Sequence, residues 1–300
     1  MNKYGHTADF YVEFEERYRG SRELIKSRQE KYLPYIHLLK GLFSSVNALD
    51  LGCGRGEWLE LLGEHGVIAR GIDLSDAMLE ICLGRKFQVS QSDALASLKN
   101  CPNSSMQLLT GFHISEHLPF SVLAELVQEA HRVLSPGGLL ILETPNSENL
   151  QVATSSFYLD PNHGNPIPSQ LLSFLLSHIG FQSTDVILLN ADIDPQESSW
   201  ITLNDVLNGV SRDYAAIGQK KFDDLSADYT IDAIYKDPGV SLVSLVERFD
   251  KQISELNNAI NQATLIAQDT KDRIYRLEMP LRILNNFIKK SKIFLTHIFR

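Results

Sequence analysis

From residue 46 the chain alternates short apolar runs with amphipathic stretches, the order expected of a parallel sheet with crossover helices. The runs VNALDL, VIARGID, FQVSQSD, MQLLTGF and LLILETP predict successive strands. Between them, EWLELLGEH, SDAMLEICLGRK and SVLAELVQEAHRVLS repeat apolar residues at helical spacing, and PGG at 136–138 stops the last of these. A helix over Gln170–His178 and the strands TDVILLN and DYAAIGQKK continue the pattern to residue 221. Ahead of it, YRGSRELIKSRQEKYLPYI predicts a helical cap over 1–40, which Pro34 interrupts or ends.

After 221 the pattern changes. Residues 222–240, rich in Asp and carrying DPG, read as a linker. From Leu242 apolar positions then recur at strict 4-3 spacing: Val246, Phe249, Ile253, Leu256, Ile260, Ala263 and onward to Leu277. Ordinary helices drift off a 3.5-residue repeat, so 241–279 predicts a coiled coil that joins copies of the chain or a partner protein. The remainder, 280–300, mixes large apolar residues with Arg282, Lys289, Lys290, Lys292 and Arg300 and has no acid. Lysines at its centre exclude a membrane span, whereas a basic amphipathic helix suits an anionic membrane surface.

Charge sharpens this division. The net charge is −9 from 28 Lys/Arg and 37 Asp/Glu, and five of the cations lie beyond residue 280. So acidic a body argues against nucleic acid as the main partner. Three cysteines form no CxxC pair, and the polar N-terminal stretch does not read as a signal peptide. A cytoplasmic protein is expected, peripheral on the inner membrane face if the tail binds there.

LDLGCGRGEW follows a predicted strand and opens a helix, which puts Gly52, Gly54 and Gly56 at the carboxyl edge of the sheet, where such folds bind ligands. The spacing GxGxG matches neither the dinucleotide fingerprint nor a P-loop, which favours a nucleoside without phosphate. Asp73 closes the second strand, placed to accept hydrogen bonds from ribose hydroxyls, and Asp93 follows the third, within reach of an adenine amino group. Each acid alone is more often a helix cap or a solvated residue; in this order, behind this loop, they carry more.

On LDLGCGRG, GID, SDAL and RVLSPGGLLILETPN, residues 46–221 resemble the class I S-adenosylmethionine-dependent methyltransferases. The resemblance implies an α/β, Rossmann-like seven-stranded sheet in order 3-2-1-4-5-7-6, mostly parallel, with helices on both faces and an antiparallel strand seven. It implies S-adenosylmethionine in the glycine-loop crevice. Gly52, Cys53 and Gly54 would lie at the methionyl part, Asp73 at the ribose, Met78 beside adenine and Asp93 at its amino group. Asp50, Gly56, Leu74, Ala94 and Phe112 would complete the site. Arg19, Arg22 and Arg28 are candidates for the methionyl carboxylate or an acceptor phosphate, or else a solvated helix face.

GFHISEHL places His113, Glu116 and His117 where strand four ends, and His163 follows strand five. This arrangement is similar to small-RNA 2'-O-methyltransferases and ubiquinone-pathway O-methyltransferases, where such residues are associated with a divalent metal. The RNA enzymes commonly carry Glu at the first position, here His113. That departure favours Zn²⁺, Mn²⁺ or Fe²⁺ over Mg²⁺. Two mechanisms remain open: metal activation of a hydroxyl by His113, Glu116, His117 and His163, or general base catalysis by His117 or His163 oriented by Glu116. HxxEH also matches an inverted zinc-peptidase motif, a reading that leaves LDLGCGRG unexplained.

The methyltransferase motifs, the coiled coil and the basic tail together look like bacterial O-antigen and related polysaccharide methyltransferases, which implies a sugar hydroxyl as acceptor. A small-molecule or ubiquinone-like lipid O-methyltransferase and a scaffold with a methyltransferase fold are the alternatives.

Overall fold

In a computed structural model of the chain, the described residues are 17–18, 20–193, 200–222, 229–234 and 237–298, with side chains to 291. They divide into two compact units, one ending at Leu245 and one beginning at Val246. The first unit contains β1 (Asn47–Leu51), β2 (Ile68–Asp73), β3 (Val89–Gln91), β4 (Met106–Phe112), β5 (Leu134–Pro145), β6 (Phe181–Leu189) and β7 (Asp213–Lys220). They form a seven-stranded sheet in the order β3-β2-β1-β4-β5-β7-β6. β7 runs antiparallel to both β5 and β6, and the other pairings are parallel.

The helices are α1 (Arg22–Gln29), α2 (Leu33–Leu42), α3 (Glu57–Glu64), α4 (Asp76–Gly84), α5 (Ala94–Asn100), α6 (Phe120–Val133), α7 (Leu150–Thr154), α8 (Ser169–Ile179), α9 (Leu203–Asn208) and α10 (Leu242–Ile298). Alternate residues of a strand face opposite sides, so a sheet covered on both faces needs unbroken apolar runs. LLIL meets that need. Leu140 and Leu142 join a core with α6 and α8, while Leu139 and Ile141 pack with Tyr35 and Ile36 of α2 and Trp58 of α3.

Four local findings differ from the sequence expectation or extend it. Pro34 does not end a helix: it occupies the first turn of α2, where its missing N–H has no intrahelical acceptor to lose and its fixed φ suits the turn. α6 stops at Val133, and LSPGG already belongs to β5. Within the stretch read as a linker, Ile231 and Val240 are buried, and Ser211 bonds Val240 through both backbone and hydroxyl. Finally, α10 runs through Pro280 to Ile298 as one helix, so the predicted coiled coil and basic tail share a continuous backbone.

Candidate functional site

The glycine loop hangs from the end of β2. The amides of Gly52 and Cys53 both donate to the Ile72 carbonyl at 2.9 Å. Gly52, Gly54 and Gly56 take φ of 75°, 51° and 76°, the left-handed region that a Cβ disfavours. Asp73 braces this loop: one carboxylate oxygen accepts from the Gly54 amide at 2.9 Å, the other from the Ser75 amide at 2.8 Å.

Of the other predicted nucleoside contacts, Asp50 is buried and accepts from the Thr110 hydroxyl at 2.7 Å. Met78 and Ala94 are buried, while Leu74 stands 67% exposed beyond the end of β2. Asp93 caps α5 by accepting from the Ala96 amide at 2.9 Å. Phe112 is both core and cleft wall, its ring 5.3 Å from the rings of Tyr32 and Trp58.

The arginines divide. Arg22 is not available to a carboxylate or phosphate: its guanidinium donates to the carbonyls of Arg55 at 2.6 Å and Gly56 at 3.3 Å and pairs with Glu60. It fastens α1 to the glycine loop. Arg28 instead lines a separate cavity, and Arg19 lies outside the described residues.

That cavity, about 620 Å³, opens beside the carboxyl ends of β4 and β5. His113, the residue after β4, has a left-handed φ of 56° while its amide still donates to the Glu143 carbonyl at 2.9 Å. A 3₁₀ turn over Ser115–His117 then presents Glu116 and His117.

The four residues read as one metal set are not gathered as one. Ligand atoms of Glu116, His117 and His163 lie within 4.8 Å of one another, and those of His113, Glu143 and Asp213 form a second such group. His113 bridges the two, with Nδ1 3.2 Å from Glu116 Oε1 and Nε2 3.3 Å from Glu143 Oε1. Burial favours its neutral form, but the bonds to Glu116 and Glu143 and the charge of Asp213 outweigh this and hold its pKa well above 6.5. The protonated ring is thereby favoured. The fully buried Glu116 is pushed upward by desolvation and pulled further down by His113, to below the ordinary 4.5. Its other oxygen accepts from Thr144 Oγ1 at 2.9 Å.

Glu143 and Asp213 were not singled out from the sequence. Glu143 lies opposite Phe112 in the β4–β5 register and accepts from the buried Tyr32 hydroxyl. Desolvation, followed by the charge of Glu143, keeps that phenol protonated. Asp213 begins β7 opposite Pro145. Burial raises its pKa above 3.8 against the opposing effect of His113, and Asn190 donates to it at 2.8 Å.

The loop carrying His163 is tied to the Glu116 turn, since the Gly164 amide donates to the Glu116 carbonyl at 2.8 Å. His163 Nδ1 lies 2.6 Å from the Phe157 carbonyl. Only a protonated Nδ1 can make that bond, so in the neutral ring the lone pair is on Nε2, 3.9 Å from Glu116 Oε1. The His117 ring meets the His163 ring edge-on at 4.7 Å. One carboxylate and two imidazoles, one with its tautomer fixed by a carbonyl, suit a Zn²⁺, Mn²⁺ or Fe²⁺ donor set.

Comparison with known proteins agrees with this architecture. The family described as "Methyltransferase domain" (Methyltransf_23) matches residues 24–186. A crystal structure of a SAM-dependent methyltransferase from Archaeoglobus fulgidus is 33% identical, covers 70% of this chain and all of that one, and superposes with a TM-score of 0.63. A Mycolicibacterium smegmatis protein described as "Probable S-adenosylmethionine-dependent methyltransferase" is 27% identical over 47% of this chain and 54% of its own. A ubiquinone biosynthesis O-methyltransferase of Coxiella burnetii is 26% identical over 41% of this chain and 52% of its own. The chain thus spans about half the length of the curated relatives it matches.

Proposed function

We propose, from the premise that the chain belongs to the SAM-dependent methyltransferases, that it transfers the methyl group of S-adenosylmethionine to a hydroxyl oxygen of a polar, sugar-like acceptor. The observation that carries the proposal is the convergence of His117 and His163, which line the cavity, on the buried Glu116, beside the edge from which the glycine loop also emerges.

In the transfer, the methyl carbon leaves sulfur as a carbon–oxygen bond forms, the acceptor loses its hydroxyl proton, and S-adenosylhomocysteine departs. A neutral alcohol is a weak nucleophile, so the protein's task is to position it in line and remove that proton. Glu116, His117 and His163 would hold a divalent cation, whose chemistry when bound is to lower the pKa of an acceptor hydroxyl. The fixed tautomer of His163 supports a metal-free reading as well: Nε2 takes the proton, and Glu116 stabilises the imidazolium that results.

Part of the cavity wall supports a glycan acceptor. Arg28, Glu143, Asp160 and Asp213 line that part, a mixture of donors and acceptors suited to a polyol, while Leu24, Ile25, Val152, Phe157 and Leu159 give the cavity an apolar side as well. With the basic residues of 281–300, this supports a bacterial surface polysaccharide of O-antigen type, modified at the inner membrane face.

The test is to incubate the protein with labelled methyl donor and either oligosaccharide or catechol acceptors, with and without chelator, beside His163→Ala. Transfer to saccharide that falls at least about 100-fold in His163→Ala is expected. Transfer confined to catechols overturns the acceptor class. Full activity under chelation, in protein free of metal by elemental analysis, leaves only the base mechanism.

A further inference from the structure

The second unit exposes a long apolar seam. Every described side chain from Ile253 to Ser291 is exposed, among them Ile260 at 52% and Leu277 at 74%. A helix of 57 residues, about 85 Å at 1.5 Å per residue, gains little from propensity alone and is stabilised chiefly by packing. The residues along the seam say what packs there.

In the 4-3 repeat the first seam position holds Val246, Ile253, Ile260 and Ile274, β-branched in every heptad but that of Ala267. The second holds Leu256 and Leu277, with Phe249 at the start and the small Ala263 and Thr270 between. β-branched residues at the first position with Leu at the second favour two parallel strands, whereas Ile at both, or the reverse assignment, favours three or four.

Flanking charges give the same orientation. In a parallel, in-register pair each residue just before a first position faces the partner residue five places further on. Over 245–278, the pairing of Arg273 with Glu278 is the one in which both members are charged, and their signs are opposite. Among the described residues, their partners within one helix are Asp269 and Arg282, exposed and one turn away, which an interhelical pairing can replace at little cost.

We infer that α10 joins a second copy of this chain as a parallel, in-register, two-stranded coiled coil over 246–277. This stands independently of the methyl-transfer reading, since it uses none of the site residues.

Sedimentation equilibrium of the full chain at micromolar concentration should give twice 33.7 kDa. Ile260→Lys with Ile274→Lys should give monomer with unchanged thermal unfolding of the first unit. Leu277→Cys should form an intermolecular disulfide under mild oxidation, because the three native cysteines are buried. In an antiparallel pair spanning the same segment, the two introduced thiols would lie about 46 Å apart at 1.5 Å per residue and would not bond. Glu278→Arg should weaken the dimer, and adding Arg273→Glu should restore it. A monomeric wild type, a trimer, or a Leu277→Cys dimer that fails to cross-link overturns the inference.

Discussion

His113→Ala isolates the ion pair at the centre of the site. The imidazolium sits between Glu116, whose side chain is fully buried, and Glu143. Removing one member of a buried pair costs about 3–5 kcal/mol because the other charge is left uncompensated. The His113 side chain is 32% exposed, so water screens part of this and about 2–3 kcal/mol is expected. The raised His113 pKa contributes stability that is fully present below 6.5 and lost as pH rises through its folded-state value. The lowered Glu116 pKa contributes stability present above 4.5 and lost as pH falls through its folded-state value. Both describe one interaction, so the gap between wild type and variant should be widest between pH 4.5 and 6.5 and should narrow toward alkali. His113→Gly should recover about 1 kcal/mol relative to Ala, because it also relieves the left-handed backbone. The assay is equilibrium urea unfolding at about pH 5.5, 7.5 and 9.5. A gap below about 0.5 kcal/mol, or one that widens toward pH 9.5, would refute the ion-pair account.

Asp73→Ala removes the acceptor shared by the Gly54 and Ser75 amides and should weaken S-adenosylmethionine binding about 100-fold by calorimetry; a change under about threefold would place the cofactor elsewhere. Gly71→Ala puts a methyl group 2.6 Å from Cys53 Cβ and 2.9 Å from Leu59 Cδ1, both buried side chains. Overpacking of this kind should cost about 1–3 kcal/mol, seen as a lowered Tm, and an unchanged Tm would show that the strand yields. Deleting 281–300 should release the protein from vesicles containing anionic lipid in a flotation assay; retention on them would refute the proposed surface attachment.

What could be seen in the sequence follows from locality. The glycine loop and Asp73 are encoded in short windows, as is the alternation of LLILETP with its flanking helices, and the strand order followed from the resemblance these motifs carry. Glu143 offered one signal, a lone acid inside an otherwise apolar strand, which a buried partner must compensate. Its partner was invisible: Tyr32 lies 111 residues away in a 3₁₀ turn ahead of α2, and only the fold joins them. Asp213 enters because the antiparallel β7 starts at the edge where β5 finishes, a register no local pattern states. His113 does follow strand four as expected, but its grouping with Glu143 and Asp213 depends on strands that the local pattern does not pair. Pro34 signals an interruption of the N-terminal helix, but the rule does not say whether a proline ends one helix or begins the next, and here it begins one.

The burial of Ile231, Val240 and Leu245 bears on how this polypeptide should be dissected. A fragment cut at residue 221, after the final strand, would strip these three from the hydrophobic interior and leave the Ser211 hydroxyl without its bond to Val240. Since Ser211 stands two positions before Asp213, frayed packing there would disturb an acid that lines the cavity. The shortest expression clone that keeps this interior closed therefore extends through Leu245.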